Sequence, residues 1–262
     1  MKNLKEERLG TIKNNKESLA GYKMKIVEYN GKDDLTVELQ VEYNAKVHTG
    51  YNNFKKGDVK NPYHPSVYGV GYLGQGKYNA YKNKKQTDAY NIWQRMLQRC
   101  YDPYTINKYL TYIDCYVCEE WHCFQNFAEW FYKHKYECND RLCLDKDVLI
   151  KGNKIYSPKT CVLVPQRINN LFVKSDAIRG EYLIGVHWDK NANKFISQCS
   201  TLDKNGKKKM KYLGLYDNEY EAFLSYKRFK EKYIKQIANE YKDIIPQKLY
   251  DAMYRYEVEI ND

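Results

Sequence analysis

The stretch LCLDKDVLIKGNKIYSPKTCVLVPQRINNLF, residues 142–172, holds the side chains of this chain that are best suited to chemistry. Asp145, Lys146 and Asp147 stand in a row at the end of an apolar run, and Asn169 follows Lys146 by about 23 residues. Carboxylates and an amide oxygen are hard donors of the kind that seat Mg²⁺ or Mn²⁺, and such an ion assists phosphodiester hydrolysis by activating water and holding the phosphate. The run has no histidine. Histidine activates water because its pKa lies near neutrality, whereas an exposed lysine keeps its proton and makes a poor base. Three readings stand open: Asp147 is the base, Lys146 acts as a free amine, or the site holds nucleic acid without cutting it. Taken alone, the same residues also describe a solvated strand end with Asn169 at a helix terminus.

Convergence of these groups requires a particular order of elements. A strand ends at Asp145-Lys146-Asp147, Gly152-Asn153 turns the chain, a second strand runs to Pro165, and a helix follows with Asn169 and Asn170 on it. This is a ββα hairpin that presents an acid from the strands and a second ligand from the helix. Asp145 and Asn169 are then the metal candidates, and Asp145, Lys146, Asp147 and Asn169 the catalytic ones.

Upstream, DAYNIWQRMLQRCY places Tyr90, Trp93, Leu97 and Cys100 on one helical face, with Asp88 as the expected N-cap. WHCFQNFAEWFYKH, with Trp121, Phe124, Phe127 and Trp130 three apart, predicts a second helix whose aromatic stripe belongs to a core. The cysteines Cys115, Cys118, Cys123, Cys138 and Cys143, with His122, raise a zinc site. Zinc at Cys115 and Cys118 is not expected, because these residues run into an aromatic helix and the later pair lacks C-x-x-C spacing.

Residues 1–65 read as a small curved β module, barrel-like in outline, from YKMKIVEY, the turn NGKDD, LTVELQVEY and a third strand candidate in KVHTGYNNF. GVGYLGQG at 69–76 contains a G-x-G-x-x-G, but neither a preceding strand nor a following helix frames it as a dinucleotide loop, so it reads as a flexible joint. From about Gly180, YLIGVHWD, KFISQCSTL and KKMKYLGLY predict three strands with turns at KNAN and DKNG. One long helix follows with Asn218 as its N-cap, and a helical appendage ends the chain.

Over residues 88–172 the two helices and the YSPKTCVLVPQRIN segment together resemble the phage and intron-encoded branch of the HNH endonucleases. On that resemblance Asp145 matches the metal-binding acid, Lys146 stands where the general-base histidine is expected, Cys161 falls at a middle asparagine and Asn169 matches the helix ligand. A register one residue later puts Asp147 at the base position. YLIGVHWDKNANKFISQC through KYLGLYDNEYEAFLSYKRFKEKYI resembles the AP2 DNA-binding domain, in which the open face of a three-stranded sheet enters the major groove. Val186, Phe195 and Leu213 would face the helix, leaving His187, Lys194, Gln198, Ser200, Lys211 and Tyr212 for DNA, with His187 and Ser200 where arginines are common in that family.

Forty-four Lys and Arg against 33 Asp and Glu give a net charge of +11, and 28 of 262 residues are tyrosine. Basic charge interleaved with rings suits a polyanion carrying stackable bases, although AT-rich coding produces a similar composition. No apolar run approaches a membrane span and the N-terminus lacks a signal-peptide core, so a soluble protein of the cytoplasm, in the resemblance an infected bacterial cell, is expected. The expected fold class is α+β in three parts: a β module at 1–65, an HNH-like ββα-metal domain with flanking helices at 66–178, and an AP2-like sheet and helix with a helical tail at 179–262. The expected activity is Mg²⁺- or Mn²⁺-dependent nicking or homing-like cleavage of double-stranded DNA. The alternative is a degenerate relative that regulates or counters defence by binding DNA, with RNA or a protein left open as partner and a membrane not expected.

Overall fold

The computed structural model describes residues 4–16, 22–41, 43–173, 181–202 and 207–260, and the DKNG turn at 203–206 lies outside them. The chain is mixed α and β with several small sheets. It divides into two compact units, one of residues 1–113 with 117–129, the other of 114–116 with 130–262.

The first unit opens with α1 (Leu4–Arg8) and an antiparallel sheet in sequence order: β1 (Ile12–Asn14), β2 (Lys23–Gly31), β3 (Asp34–Gln40) and β4 (Lys46–Thr49). Alternation turns Met24, Ile26 and Tyr29 of β2, and Leu35, Val37 and Leu39 of β3, to one side. The odd step from Ile26 to Tyr29 is absorbed by a bulge, since Ile26 pairs with Val37 and Glu28 with Thr36. Phe54 of α2 (Tyr51–Lys56) and Val59 close this core, so the YNNF half of the third strand candidate is helical. The sheet stays open, with β1 and β4 at its edges among the described residues, where a barrel-like closure was expected.

The glycine-rich segment 69–76 packs against its neighbours and is no flexible joint. Tyr72 donates its N–H to His122 O (2.9 Å), Phe124 donates to Tyr72 O (2.9 Å), and Gly74 donates to Pro62 O (2.8 Å). A Cβ on Gly71 would overlap Leu97 and crowd the Trp93 ring at 2.9 Å, so the glycine is a packing requirement. A small hairpin, β5 (Tyr81–Lys82) and β6 (Lys85–Gln86), leads to α3 (Asp88–Tyr101) and α4 (Pro103–Lys108). The N-cap of α3 is Thr87, whose Oγ accepts from Tyr90 N–H at 3.3 Å, one residue before the expected Asp88. Tyr90, Trp93, Met96, Leu97 and Cys100 are its buried face.

The short strand β7 (Tyr116–Val117) precedes a 3₁₀ turn at Glu119–His122, and α5 (Phe124–His134) begins only after it. Trp121 therefore precedes the helix it was expected to join, yet it is buried, as are Phe124, Phe127 and Trp130.

In the second unit, β8 (Leu142–Asp145), the two-residue β9 (Ile155–Tyr156), β10 (Val162–Pro165) and the single turn α6 (Gln166–Asn169) make the central hairpin. β8 and β10 are antiparallel, with Asp145 opposite Val162 and Leu142 opposite Pro165. β11 (Val186–Asp189), β12 (Lys194–Leu202) and β13 (Lys208–Tyr216) form a three-stranded antiparallel sheet, followed by α7 (Glu219–Glu240) and α8 (Gln247–Arg255). Asn218 caps α7 by accepting from Tyr220 and Glu221 N–H (2.7 and 3.3 Å). Gly185, at φ +78°, enters β11 over the face of Tyr226, where any Cβ would run into the ring.

α7 serves both layers of this unit. Its first turns bury Phe223 and Tyr226 with Cys199, against Val186 and Leu213 of the sheet. Its later turns bury Ile234, Ile237 and Ala238 with Val148, Val162, Val164 and Ile168 of the hairpin, and with Leu249 and Met253 of α8. The expected boundary near residue 178 thus lies within one compact unit, and the C-terminal helix is core rather than appendage. No helix among the described residues is long and apolar enough to cross a membrane. Ile237 is fully buried where hairpin and helix meet. Ile237→Ala should lower the unfolding free energy by about 2–5 kcal/mol in urea denaturation, and an unchanged midpoint would show that this core does not hold the hairpin.

Candidate functional site

The hairpin fixes its acidic end through the backbone. Asp145 Oδ1 accepts from the N–H of Asp147 (2.9 Å) and of Val148 (2.8 Å), an Asx-type turn that reverses the chain directly after β8. Burial pushes the Asp145 carboxyl up to about 6, and the charge of Asp147 beside it pushes the same way, while the two N–H bonds pull against both.

Lys146 points inward and is only 7% exposed. Its ammonium donates to Asp147 Oδ2 at 3.0 Å and to Asn153 O at 2.8 Å, and lies 5.9 Å from the centroid of the Tyr156 ring. Asn153 completes the lock from the far end of the loop: its Nδ2 donates to Lys146 O (2.6 Å) and Ile155 O (2.8 Å), and its Oδ1 accepts from Ile155 N–H (3.2 Å). A buried ammonium must be matched by acceptors, and these two supply the match. Lys146 is therefore the tether that closes the 146–153 loop, and the exposed lysine assumed from sequence is not found. Asn153 was visible only as a turn residue after Gly152, and nothing in the sequence said that its side chain would hold the loop.

Asp145, Lys146, Asp147 and Asn153 form one cluster, while Asn169 ends α6. The start of that helix is held by Arg167 N–H donating to Asp140 Oδ2 (2.7 Å) and Gln166 N–H donating to Arg141 O (2.8 Å). Among the described residues no hydrogen bond joins Asn169 to Asp145. Asn170 Oδ1 is taken by Gln166 Nε2 at 2.8 Å. Cys161 is fully buried just before β10.

The sheet supplies a second group. Val186 and Cys199 face α7, so alternation and register turn His187, Lys194, Gln198, Ser200 and Tyr212 to the opposite face, with Gln198 opposite Tyr212 and Ser200 opposite Met210. Lys211 departs from the expectation, because its register partner is Cys199 and Tyr212 next to it already occupies the outer face. Lys194 pairs with Asp217 at 2.9 Å, an exposed ion pair of small energetic weight. Met210 (54% exposed), Tyr212 (57%) and Leu215 (41%) leave apolar surface on this face uncovered.

None of the eight cysteines is in a disulfide, and among the described residues no three His, Cys, Asp or Glu side chains gather as a ligand set. His122 lies 3.1 Å from Val117 O through its Nε2. Comparison with protein-family models, curated proteins and solved structures gives no match for the chain.

The Asp145 shift has a thermodynamic consequence. Its value in the fold lies above the unfolded value of about 3.9, so the fold binds the extra proton, and the stability this confers below about pH 4 is lost as the pH rises to about 6. Asp145→Asn keeps an acceptor for both N–H groups and removes the charge. With EDTA present, the variant should gain about 2–3 kcal/mol on the wild type between about pH 4 and pH 7 in chemical unfolding, and a constant difference across that range would contradict the assignment.

Proposed function

We propose that the chain is a duplex-DNA-binding protein of HNH–AP2 organisation, in which the β11–β13 sheet makes the sequence-reading contact and the ββα hairpin lies against DNA without cutting it. The outer face of the sheet carries this reading: His187, Lys194, Gln198, Ser200 and Tyr212 share one side of a short, twisted three-stranded ribbon, next to exposed Met210 and Leu215. Such a ribbon fits the width of a major groove, with amide and hydroxyl groups for base edges, apolar groups for thymine methyls and lysines for phosphates. The buried Lys146 favours binding over cleavage. Its ammonium is held by Asp147 and Asn153, which removes Lys146 as a base and engages the carboxylate that would otherwise replace it.

Mg²⁺- or Mn²⁺-dependent nicking is the second reading. Asp145 and Asp147 repel one another, and a divalent ion between the strand end and Asn169 would relieve that repulsion, with Asp147 freed from Lys146 to act as base.

Fluorescence anisotropy on a labelled duplex library tests the first reading. Binding should persist in EDTA, Gln198→Ala with Tyr212→Ala should relax sequence preference by roughly 1–3 kcal/mol per readout contact, and Lys194→Ala should reduce the log–log salt slope by about one. Equal binding of all sequences by wild type and the double variant would remove the sheet as reading head. Relaxation of supercoiled plasmid in Mg²⁺ or Mn²⁺, abolished by Asp145→Ala with affinity retained, would establish the second reading instead.

A further inference from the structure

The second unit carries a half-open cavity of about 800 Å³ along the edge of β12, between the segment after α6 and the side of α7. It falls within the size range of small-molecule sites. Among the described residues its lining has a one-sided chemistry: Arg167, Lys208 and Lys230 contribute to it, and no Asp or Glu does. Arg167 is paired with Glu240 at 2.8 Å, so among the described residues the uncompensated charge belongs to Lys208 and Lys230.

Lys230 is the unusual member. It rises from the middle of α7 into a half-buried position, and among the described residues no carboxylate and no hydrogen bond meets its ammonium. Burial pulls its pKa down, with only the neighbouring Cys199 thiol opposing. A cation held in this way is costly to the fold, which has lysine here where methionine would fill the same space. From the sheet side the lining includes His187, whose buried Nδ1 has no partner among the described residues, with Gln198 and Ser200. Tyr226, Tyr233 and Tyr256 supply the apolar remainder. Cations and tyrosine rings lining one cavity are complementary to a group that joins a phosphate to a flat heterocycle.

We propose that this cavity binds one nucleotide 5′-phosphate unit, with the phosphate on Lys230 and Lys208 and the base among the tyrosines. The cavity shares His187, Gln198 and Ser200 with the face proposed to read duplex DNA, but Lys230 and Lys208 are not among the duplex contacts, so the phosphate site does not depend on that reading. Two sources share this chemistry, a free mononucleotide and the phosphorylated end of an unpaired strand.

Isothermal titration of the full chain separates them. The probes are thymidine 5′-monophosphate, a 5′-phosphorylated thymidine trinucleotide, thymidine and inorganic phosphate. Both phosphorylated probes should bind, thymidine and phosphate alone should bind at least about tenfold more weakly, and Lys230→Met should weaken the nucleotide by about tenfold, the loss of one charge-assisted contact. Similar affinity for the two phosphorylated probes assigns a free nucleotide, and tighter trinucleotide binding assigns a strand end. Lys208→Glu, at an exposed position, gives the same loss without risk to the fold. No heat with either phosphorylated probe, equal binding of inorganic phosphate and nucleotide, or nucleotide binding untouched in both variants overturns the proposal. Duplex affinity, measured separately, should be unchanged in Lys230→Met. A wild type that binds nucleotide but no duplex rejects the sheet reading alone.

Discussion

The apolar stripe of α7 is the constraint on which the second unit depends. A two-stranded hairpin such as β8–β10 cannot bury enough surface to stand by itself in water, and a three-stranded sheet is marginal without a helix on one face. One 22-residue helix meets both needs, with Phe223 and Tyr226 under the sheet and Ile234, Ile237 and Ala238 under the hairpin. Separating the two elements would expose one half of the helix or the other, so hairpin and sheet are coupled through packing even where no side chain of one touches the other.

The second determinant is the fate of a single charge. A lysine at the end of a strand is ordinarily solvated, and placing Lys146 inside requires acceptors for its ammonium. Asp147 and Asn153 provide them, and the loop between the strands takes its shape from that bond pair. The consequence for chemistry follows from geometry. A group that both donates to a carboxylate and closes a loop cannot be withdrawn for proton transfer without opening the loop, which sets the functional reading toward binding.

The sequence made the regular elements legible where period and caps agreed. The long C-terminal helix and its Asn218 cap, the three strands before it, and the strand–turn–strand–helix order of 142–172 followed from alternation, turn residues and an N-cap side chain. Three features were not legible, each for a physical reason. The glycine segment 69–76 looked flexible because glycine permits freedom, whereas here Gly71 is small so that Leu97 and Trp93 can approach. Lys146 looked exposed because its burial depends on Asn153, seven residues away across a turn. Lys211 and Tyr212 were both given to the outer face, which strict alternation forbids for neighbours in a strand, and the register with Cys199 and Gln198 decides between them. Long-range pairing, rather than local propensity, determined every one of these.

The chain end argues for a rigid scaffold behind the open sheet face. Residues 256–260 run back across the unit: Tyr256 packs on Phe172 at 4.8 Å, Lys151 of the hairpin loop donates to Glu257 O at 3.0 Å, and Val258 is bonded from both sides by Lys227 and Glu231 of α7 (2.7 and 2.9 Å). This strap ties the hairpin loop to the helix and fills the inner side of the sheet. The outer side is left with Met210, Tyr212 and Leu215 exposed among polar neighbours. An antiparallel sheet that only needed to meet water would alternate cleanly to polar residues on that face. Among the described residues no core of the unit includes these apolar groups, and it is their exposure on a firmly backed surface that the proposed contact with DNA accounts for.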